Sequence, residues 1–356
     1  MVELQSYHDQ SVNQHARCPV ARGLMLITGA TGLVGSHVAE SAVRAGFDVR
    51  ALVRDDKAEP CKLLTELGVE LTLGDLRDRP SLARAAQGAQ YVVHAAGAVG
   101  EWGDPKFYRE VNIDGLMNLL ETLVRMPNLK RLVALSSLSV YAPRHHFGTN
   151  ENVPIYLGGF DEYARTKTEA ELILREYMSL RKLPTVILRP GFIYGARDRH
   201  VLPRIIPRIK AGRFAYLGHG MSLMDNTGVH NLADAIMIAM DTPGIEGETF
   251  NLTDEKLVTR VELVETIAKL LGVAPPRFFI PEKVAKPLAK GIDRISRSLG
   301  VRNPPMLSMA RYKFLALHRE FSISKAKTLL NYSAKTSFQD GMAEAVKWYV
   351  QEGKAS

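Results

Sequence analysis

A doubly wound α/β fold, a parallel sheet covered by helices on both faces with a smaller C-terminal lobe, is what this sequence predicts. Three observations predict it. The apolar run Leu24-Met25-Leu26-Ile27 leads straight into Thr28-Gly29-Ala30-Thr31-Gly32-Leu33-Val34-Gly35 and then the helix-like His37-Val38-Ala39-Glu40-Ser41-Ala42-Val43. Short apolar segments and helical segments then alternate as far as Leu188, the pace of repeated βαβ units. Past Arg189 to Gly195 the alternation gives way to shorter elements. The chain therefore reads as a polar tail at 1–22, a sheet domain at 23–190 and a lobe at 191–356, the last two interleaved.

With 356 residues and 46% hydrophobic composition, the chain can bury a substantial core. Two cysteines, Cys18 and Cys61, make neither a disulfide framework nor a metal cluster, which fits a reducing, cytoplasmic setting. The tail is polar and lacks the apolar core of a signal peptide, and no apolar run reaches the ~20 residues that span a bilayer. A net charge of +8 brings no nucleic-acid-binding module with it. An anionic cofactor, substrate or lipid surface accounts for that charge equally well.

In chain order, the glycine-rich turn comes first. A strand, closely spaced glycines and a new helix form the context in which backbone and unpaired N–H groups cradle a pyrophosphate. Asp48 to Val53 alternates as the second strand and ends at Arg54. An acid at that end accepts hydrogen bonds from a ribose 2′-hydroxyl, whereas an arginine offers a planar fork to a 2′-phosphate. Arg54 points to NADP(H), with NAD(H) as the alternative should Asp55 or Asp56 face the ribose instead.

A helix over Pro60 to Leu67 and a strand over Val69 to Leu73 lead to Gly74-Asp75-Leu76. A helix at Ser81 to Ala86 and the strand Tyr91 to His94 follow, ending in the small residues Ala95-Ala96-Gly97, which let the chain pass close to a ligand. A helix at Val111 to Leu123 and the strand Arg131 to Leu135 deliver Ser136-Ser137. His145 and His146 have no acidic or cysteine partner at ligand spacing, so no metal site is expected. Tyr163 and Lys167 open the next helix four residues apart, on one face. The strand Thr185 to Leu188 brings Arg189-Pro190-Gly191-Phe192-Ile193-Tyr194-Gly195. In the lobe, helices are expected at Pro203 to Ala211, Val261 to Leu271 and Gln339 to Tyr349, with a strand at Thr249 to Leu252.

With these motifs in order, the chain resembles the extended short-chain dehydrogenase/reductase family, within the NAD-dependent epimerase/dehydratase superfamily, from Leu24 to about Trp348. The matching pieces are the glycine-rich turn at 28–35, Gly-Asp-Leu at 74–76, His-Ala-Ala at 94–96, Val-Asn-Ile-Asp-Gly at 111–115, Ser-Ser at 136–137, Tyr-x-x-x-Lys at 163–167 and Arg-Pro-Gly-Phe-Ile-Tyr-Gly at 189–195. The resemblance implies a Rossmann-type fold and a catalytic set of Ser137, Tyr163 and Lys167. In it Tyr163 is the acid/base, Lys167 supplies charge and holds the nicotinamide ribose, and Ser137 bonds the reacting oxygen. It also implies cofactor contacts from Gly29, Thr31, Gly32, Leu33, Gly35, Arg54, Asp75, Leu76, Ala95, Ala96, Asn112, Tyr163, Lys167, Pro190 and Ile193.

The sugar-nucleotide dehydratases of this family carry an Asp-Glu pair where this chain has Leu138 and Ser139, which argues against dehydration. The segments Gly100 to Asp104, Arg197 to Pro203 and Met224 to Ala235 look like the 3β-hydroxysteroid and sterol-4α-carboxylate dehydrogenase branch, with its bacterial β-keto-acid reductases. Arg50 to Arg54 is similar to NADPH-using ketone reductases. Hydride transfer between NADP(H) and a secondary alcohol or ketone of a small hydrophobic substrate is thus expected, in a cytoplasmic homodimer without nucleic acid. A nucleotide-sugar epimerase and a non-catalytic NADP-binding protein are the alternatives. Over Glu282 to Gly300, Val284, Leu288, Ile292, Ile295 and Leu299 recur at helical spacing between Lys283, Lys286, Lys290, Arg294 and Arg297. That pattern fits a basic lid over the pocket or a peripheral membrane contact, with Pro287 and Gly291 weakening a single straight helix.

Overall fold

The computed structural model describes residues 22–352 apart from 101, 160, 300, 302–304 and 306. Tail residues 1–21, Cys18 included, lie outside the described residues, as do Glu101 and Gly300. Arg22 already belongs to the folded part. Its N–H donates to Gly46 O at 3.1 Å and its guanidinium lies 4.3 Å from the Phe47 ring centroid.

The first half runs β1 (Leu24–Thr28), α1 (Leu33–Arg44), β2 (Asp48–Val53), α2 (Glu59–Glu66), β3 (Glu70–Leu73), α3 (Arg79–Ala86), β4 (Tyr91–His94), α4 (Pro105–Arg109), α5 (Gly115–Leu123) and β5 (Arg131–Leu135). It continues through β6 (His146–Thr149), α6 (Glu162–Arg181) and β7 (Thr185–Pro190). The second half contains β8 (Phe192–Tyr194), α7 (Leu202–Lys210), β9 (Ala215–Leu217), β10 (Asn226–Gly228), α8 (Val229–Asp241), β11 (Thr249–Leu252) and α9 (Arg260–Leu270). It ends with β12 (Phe278–Ile280), α10 (Glu282–Ser298), α11 (Met309–Ala316), β13 (Arg319–Phe321), α12 (Ser324–Leu330) and α13 (Phe338–Glu352).

Among the described residues the main sheet has seven strands in the order β3-β2-β1-β4-β5-β7-β11, every neighbouring pair parallel. A parallel sheet is buried on both faces, so its central strands read as continuous apolar runs. Alternate residues feed two cores. Met25, Ile27 and Val93 pack with Val38 and Ala42 of α1 and Leu232 and Ile236 of α8 on one face. Leu26 and Val92 pack with α3, α5 and α6 through Leu82, Leu116, Leu120 and Leu174 on the other. Each such fully buried aliphatic side chain contributes about 1.5–3 kcal/mol.

Although α8 and β11 come after residue 190, both return to the sheet domain, so the halves interleave in space. The chain grows outward from β1 through β2 to β3, then crosses back to β4 beside β1. That reversal opens a crevice at the carboxyl ends of β1 and β4, the ligand position of open α/β sheets.

Two helices differ from expectation. The one expected at Val111 begins at Pro105 and passes through a π-helical turn at Glu110–Asp114 before continuing as α5. The segment that Pro287 and Gly291 were expected to weaken is one helix, α10. Ala285 and Ala289, one turn apart and 0% exposed, pack with Leu217, Tyr312 and Ala316, and this packing outweighs the ~3 kcal/mol penalty of an internal proline. Of the apolar stripe, Val284, Leu288, Ile295 and Leu299 are exposed and Ile292 is half-buried, so most of it faces outward.

Candidate active site

The crevice is lined first by the turn after β1. Gly29 has φ of 76°, a left-handed conformation that favours glycine, and a Cβ there would stand 2.6 Å from Ala96 N. A Cβ at Gly35 would stand 2.2 Å from Gly29 O, so helix and turn can approach this closely only without side chains. Gly32 is exposed at the start of α1 with no side-chain cap, and Thr31 and Leu33 beside it are half-buried. The turn therefore leaves first-turn N–H groups of α1 available to an anion. Across the crevice, Ala95 N–H donates to Thr28 O at 3.1 Å, holding Ala95 and Ala96 against the turn.

Asn112 sits in the π turn and is buried, with its side-chain amide committed. Its Oδ1 accepts from Ala98 N–H at 2.7 Å, and its Nδ2 donates to Ala98 O at 3.1 Å and Thr166 Oγ1 at 3.0 Å. The side chain therefore positions the β4 loop and ties it to α6. A Cβ on Gly97 would lie 3.2 Å from Asn112 Oδ1 and 3.7 Å from Lys167 Nζ. The expansion that points Asn112 inward is the local device that π turns supply at functional sites.

The structure brings Ser137, Tyr163 and Lys167 together at the carboxyl end of β5. Ser136, next in line, is taken out of consideration by its own bond. Its hydroxyl donates to Glu171 at 2.7 Å, and Glu171 pairs with Arg189 Nε at 2.9 Å inside the protein. Burial alone would raise the Glu171 carboxyl, but the hydrogen bonds and charge of Arg189, with Ser136, hold it below the usual carboxylate range. Arg189 Nη1 also donates to Tyr141 OH at 2.5 Å, and Tyr141 donates to Asn251 at 3.0 Å, linking β7 and α6 to β11. Ser137 is left facing Tyr163.

Asp161 caps α6, its Oδ1 accepting from Ala164 N–H at 2.7 Å, and so sets the helix start that presents Tyr163 and Lys167. Burial pushes the Tyr163 phenol up to about 12, opposed by the hydrogen bond from Ser137. Burial brings the Lys167 ammonium down to about 8. Lys167 Nζ donates to Leu135 O at 2.8 Å and lies 6.0 Å from the Tyr163 ring centroid, under the ring and away from a direct bond to the hydroxyl. At neutral pH the set is therefore a protonated phenol backed by a cation.

At the carboxyl ends of β2 and β3, Arg54 is exposed and its charge helps hold Asp75 below its usual range, after the larger effect of Arg77. Arg77 Nη2 and Asp75 Oδ2 are 2.9 Å apart. Asp55 is turned into its own loop, its Oδ1 accepting from Lys57 N–H at 2.9 Å. Both Asp55 and Asp56 add to burial in pushing the Cys61 thiol up, which places them toward α2. Arg77 thus pairs with Asp75 and Arg54 acts on the same carboxyl, while Asp55 and Asp56 act on Cys61. Leu76 is buried against α5, where a Cβ on Gly115 would come 2.8 Å from its own Cβ. Pro190 is buried at the end of β7, and Ile193 is half-buried in β8.

Reading the sequence missed Arg77, Thr166, Glu171 and Arg189 as parts of this site. An Arg two residues past Gly-Asp was an available signal for the first, whereas the Glu171–Arg189 pair spans two elements with no local signature. His146 is buried between Ala142 O and Thr149 Oγ1, both 2.9 Å from its ring nitrogens, so its polar atoms serve the loop.

A glycine-rich strand-to-helix turn at the switch point, with a serine, a tyrosine and a lysine beside it, is an arrangement suited to a nicotinamide-dependent oxidoreductase. Residues 25–253 match the NAD dependent epimerase/dehydratase family, and the chain belongs to that family. It is 28% identical over 328 residues, 89% of this chain and 84% of the other, to a 2-alkyl-3-oxoalkanoate reductase of Shewanella oneidensis. It is 26% identical over 344 residues, 90% of this chain and 78% of the other, to 3beta-hydroxysteroid-dehydrogenase/decarboxylase isoform 1 of Arabidopsis thaliana. Among solved structures, gox2253 superposes with a TM-score of 0.78 at 26% identity, over 93% of this chain and 99% of that one.

Proposed function

We propose that this enzyme reduces a ketone on an apolar substrate with NADPH, Ser137 and Tyr163 meeting the carbonyl oxygen and Lys167 standing behind them. The observation that carries the reading is the meeting of three side chains at the carboxyl end of β5: Ser137 hydrogen-bonds Tyr163, and Lys167, held by Leu135 O at 2.8 Å, lies 6.0 Å from the Tyr163 ring centroid. Burial keeps the phenol in its acid form, the form that a carbonyl oxygen needs as it gains charge. When bound, the nicotinamide supplies a hydride to the carbonyl carbon. The Tyr163 O–H bond breaks and its proton passes to the carbonyl oxygen, leaving alcohol. Ser137 holds that oxygen and Lys167 offsets the phenolate charge until Tyr163 is reprotonated from solvent.

The glycine cradle fits the pyrophosphate, because the space that Cβ atoms at Gly29 and Gly35 would fill is taken by backbone, and the α1 start offers unpaired N–H groups. Gly29, Thr31, Gly32, Leu33 and Gly35 take this part. Arg54, beside Asp75 and Leu76 at the adenosine end, takes the 2′-phosphate, with Asp55 turned away. Ala95, Ala96, Pro190 and Ile193 approach the nicotinamide half, and Asn112 acts on it through the Ala98 backbone.

The relatives favour a branched β-keto acid over a sterol ketone as the first substrate to test. The purified chain with NADPH is offered a 2-alkyl-3-oxoalkanoate, a sterol 3-ketone and UDP-glucuronate, and products are identified by mass spectrometry. NADPH consumption with formation of the hydroxy acid or sterol alcohol is expected. Conversion of the UDP-sugar without net NADPH consumption would move the reading to an epimerase.

The outward stripe of α10 supports a contact with an anionic lipid surface, since Val284, Leu288 and Ile295 are exposed among Lys283, Lys286, Lys290 and Arg294. Beyond the helix, Trp102 Nε1 donates to Val301 O at 2.9 Å, joining the segment after α10 to the segment before α4. Among the described residues no helix is long and apolar enough to cross a membrane.

A further inference from the structure

Helices α1, α8 and α13 converge where the ketone chemistry has no use for side chains. His37 comes from α1, His230 from α8 and Glu344 from α13. One ligand-type atom of each lies within 4.8 Å of the other two. His37 is 2% exposed, and its Nδ1 bonds the Leu33 carbonyl oxygen at 2.8 Å. A carbonyl only accepts, so Nδ1 carries the proton and Nε2 is a bare lone pair. That Nε2 is buried with no hydrogen-bond partner, a costly arrangement for a polar atom.

The neighbours of this lone pair are suited to a cation. The His230 ring stands edge-on to His37, centroids 4.8 Å apart at 84°, and His230 Nε2 lies 2.8 Å from Glu344 Oε2. The nearby Arg197, whose charge opposes a proton on His37, pairs through Nη2 with Glu40 Oε2 at 3.0 Å. Without an ion, the group is a histidine edge contact next to a surface His–Glu pair, and the buried Nε2 remains without a function.

We propose that His37 Nε2, an imidazole nitrogen of His230 and a carboxylate oxygen of Glu344 bind a divalent transition-metal ion of the zinc type, with water in the fourth position. Two imidazoles and one carboxylate suit zinc and its neighbours, whereas magnesium and calcium prefer all-oxygen shells. The Leu33 carbonyl already fixes the His37 tautomer, the outer-shell bond that metal-binding histidines ordinarily have. Ligand atoms around a tetrahedral zinc stand about 3.3 Å apart, so His230 and Glu344 must part slightly while the group closes toward His37. His230 is half-exposed and Glu344 exposed, which leaves them free to do so. The ion would clamp α13, the end of the lobe, to α1 directly behind the phosphate turn.

The test is calorimetric titration of the full chain with zinc chloride, and with magnesium chloride as contrast, together with thermal unfolding in each salt. The site predicts one equivalent of zinc, a zinc-dependent rise in Tm and no response to magnesium. His230→Gln and Glu344→Gln, both changes at the accessible side, should each weaken zinc binding roughly tenfold or more, with the metal-free Tm near the parent value. The tail carries His8, His15 and Cys18 and could hold zinc by itself. If the parent shows no stoichiometric zinc binding, or both variants keep its full affinity, the proposal is overturned.

Discussion

The sheet domain and the C-terminal lobe are built from the same alphabet by different rules. Around β1, β4 and β5 each element is a local pattern, an apolar run or a 3.6-residue stripe, joined by short turns; the glycine turn and Ser137 follow strand ends, and Tyr163 and Lys167 share one face of α6. In the lobe, three-residue strands β8, β9, β10 and β12 pair across long separations, and a helix survives an internal proline because a tertiary contact holds it. The candidate site residues lie mostly where structure is locally specified, and the lobe is built where it is not.

Gly35→Ala strikes the sheet domain where it has no slack and has the largest expected effect. With backbone 2.2 Å from the new Cβ, α1 must move off the turn, and cofactor binding measured by fluorescence titration should be lost. Adding a Cβ at Gly291 of α10, which would meet nothing within 4 Å, should leave binding and Tm nearly unchanged. Equal effects from the two would erase the contrast between the regions.

Glu171→Gln breaks the buried pair with Arg189 and strands its guanidinium, which should cost about 3–5 kcal/mol in denaturant unfolding. Arg54→Ala should lower the NADPH-to-NADH affinity ratio roughly tenfold or more while leaving NADH affinity intact, the loss of a charge-assisted hydrogen bond. A smaller effect comes from pH. Ketone reduction needs Tyr163 protonated and Lys167 charged, so its rate should be flat below about 8 and fall above it as Lys167 loses its proton, while Tyr163 stays protonated to about 12. Lys167→Met should remove that decline along with most of the rate. The smallest effect on turnover belongs to Leu288→Glu on the outer face of α10. It should leave reduction of a dispersed substrate unchanged and weaken sedimentation with phosphatidylglycerol vesicles.

The same contrast explains what could be read in the sequence. Strands β4, β5 and β11 fall on their expected residues because a buried parallel strand is a contiguous apolar run bounded by turn residues. Ser137, Tyr163 and Lys167 were named through the family resemblance, since a tyrosine and a lysine one helical turn apart and a serine at a strand end are by themselves ordinary surface features. The grouping of Glu171, Arg189, Tyr141 and Asn251 was not, since each is an ordinary polar residue until the sheet places four elements around it. The direction of the α10 stripe was left open by the sequence for a related reason. Periodicity marks the more apolar face, but the packed face is the one whose alanines let α10 lie close to α11, and size decided it over hydrophobicity.

The central claim is that Tyr163 is the acid that protonates the substrate oxygen. Its most direct test pairs NADPH affinity with single-turnover hydride transfer to an accepted ketone, for the parent and Tyr163→Phe. The account predicts unchanged NADPH affinity and a transfer rate lower by roughly 10²–10⁴-fold, the loss of general acid catalysis. A variant that binds NADPH and transfers hydride at the parental rate would contradict it.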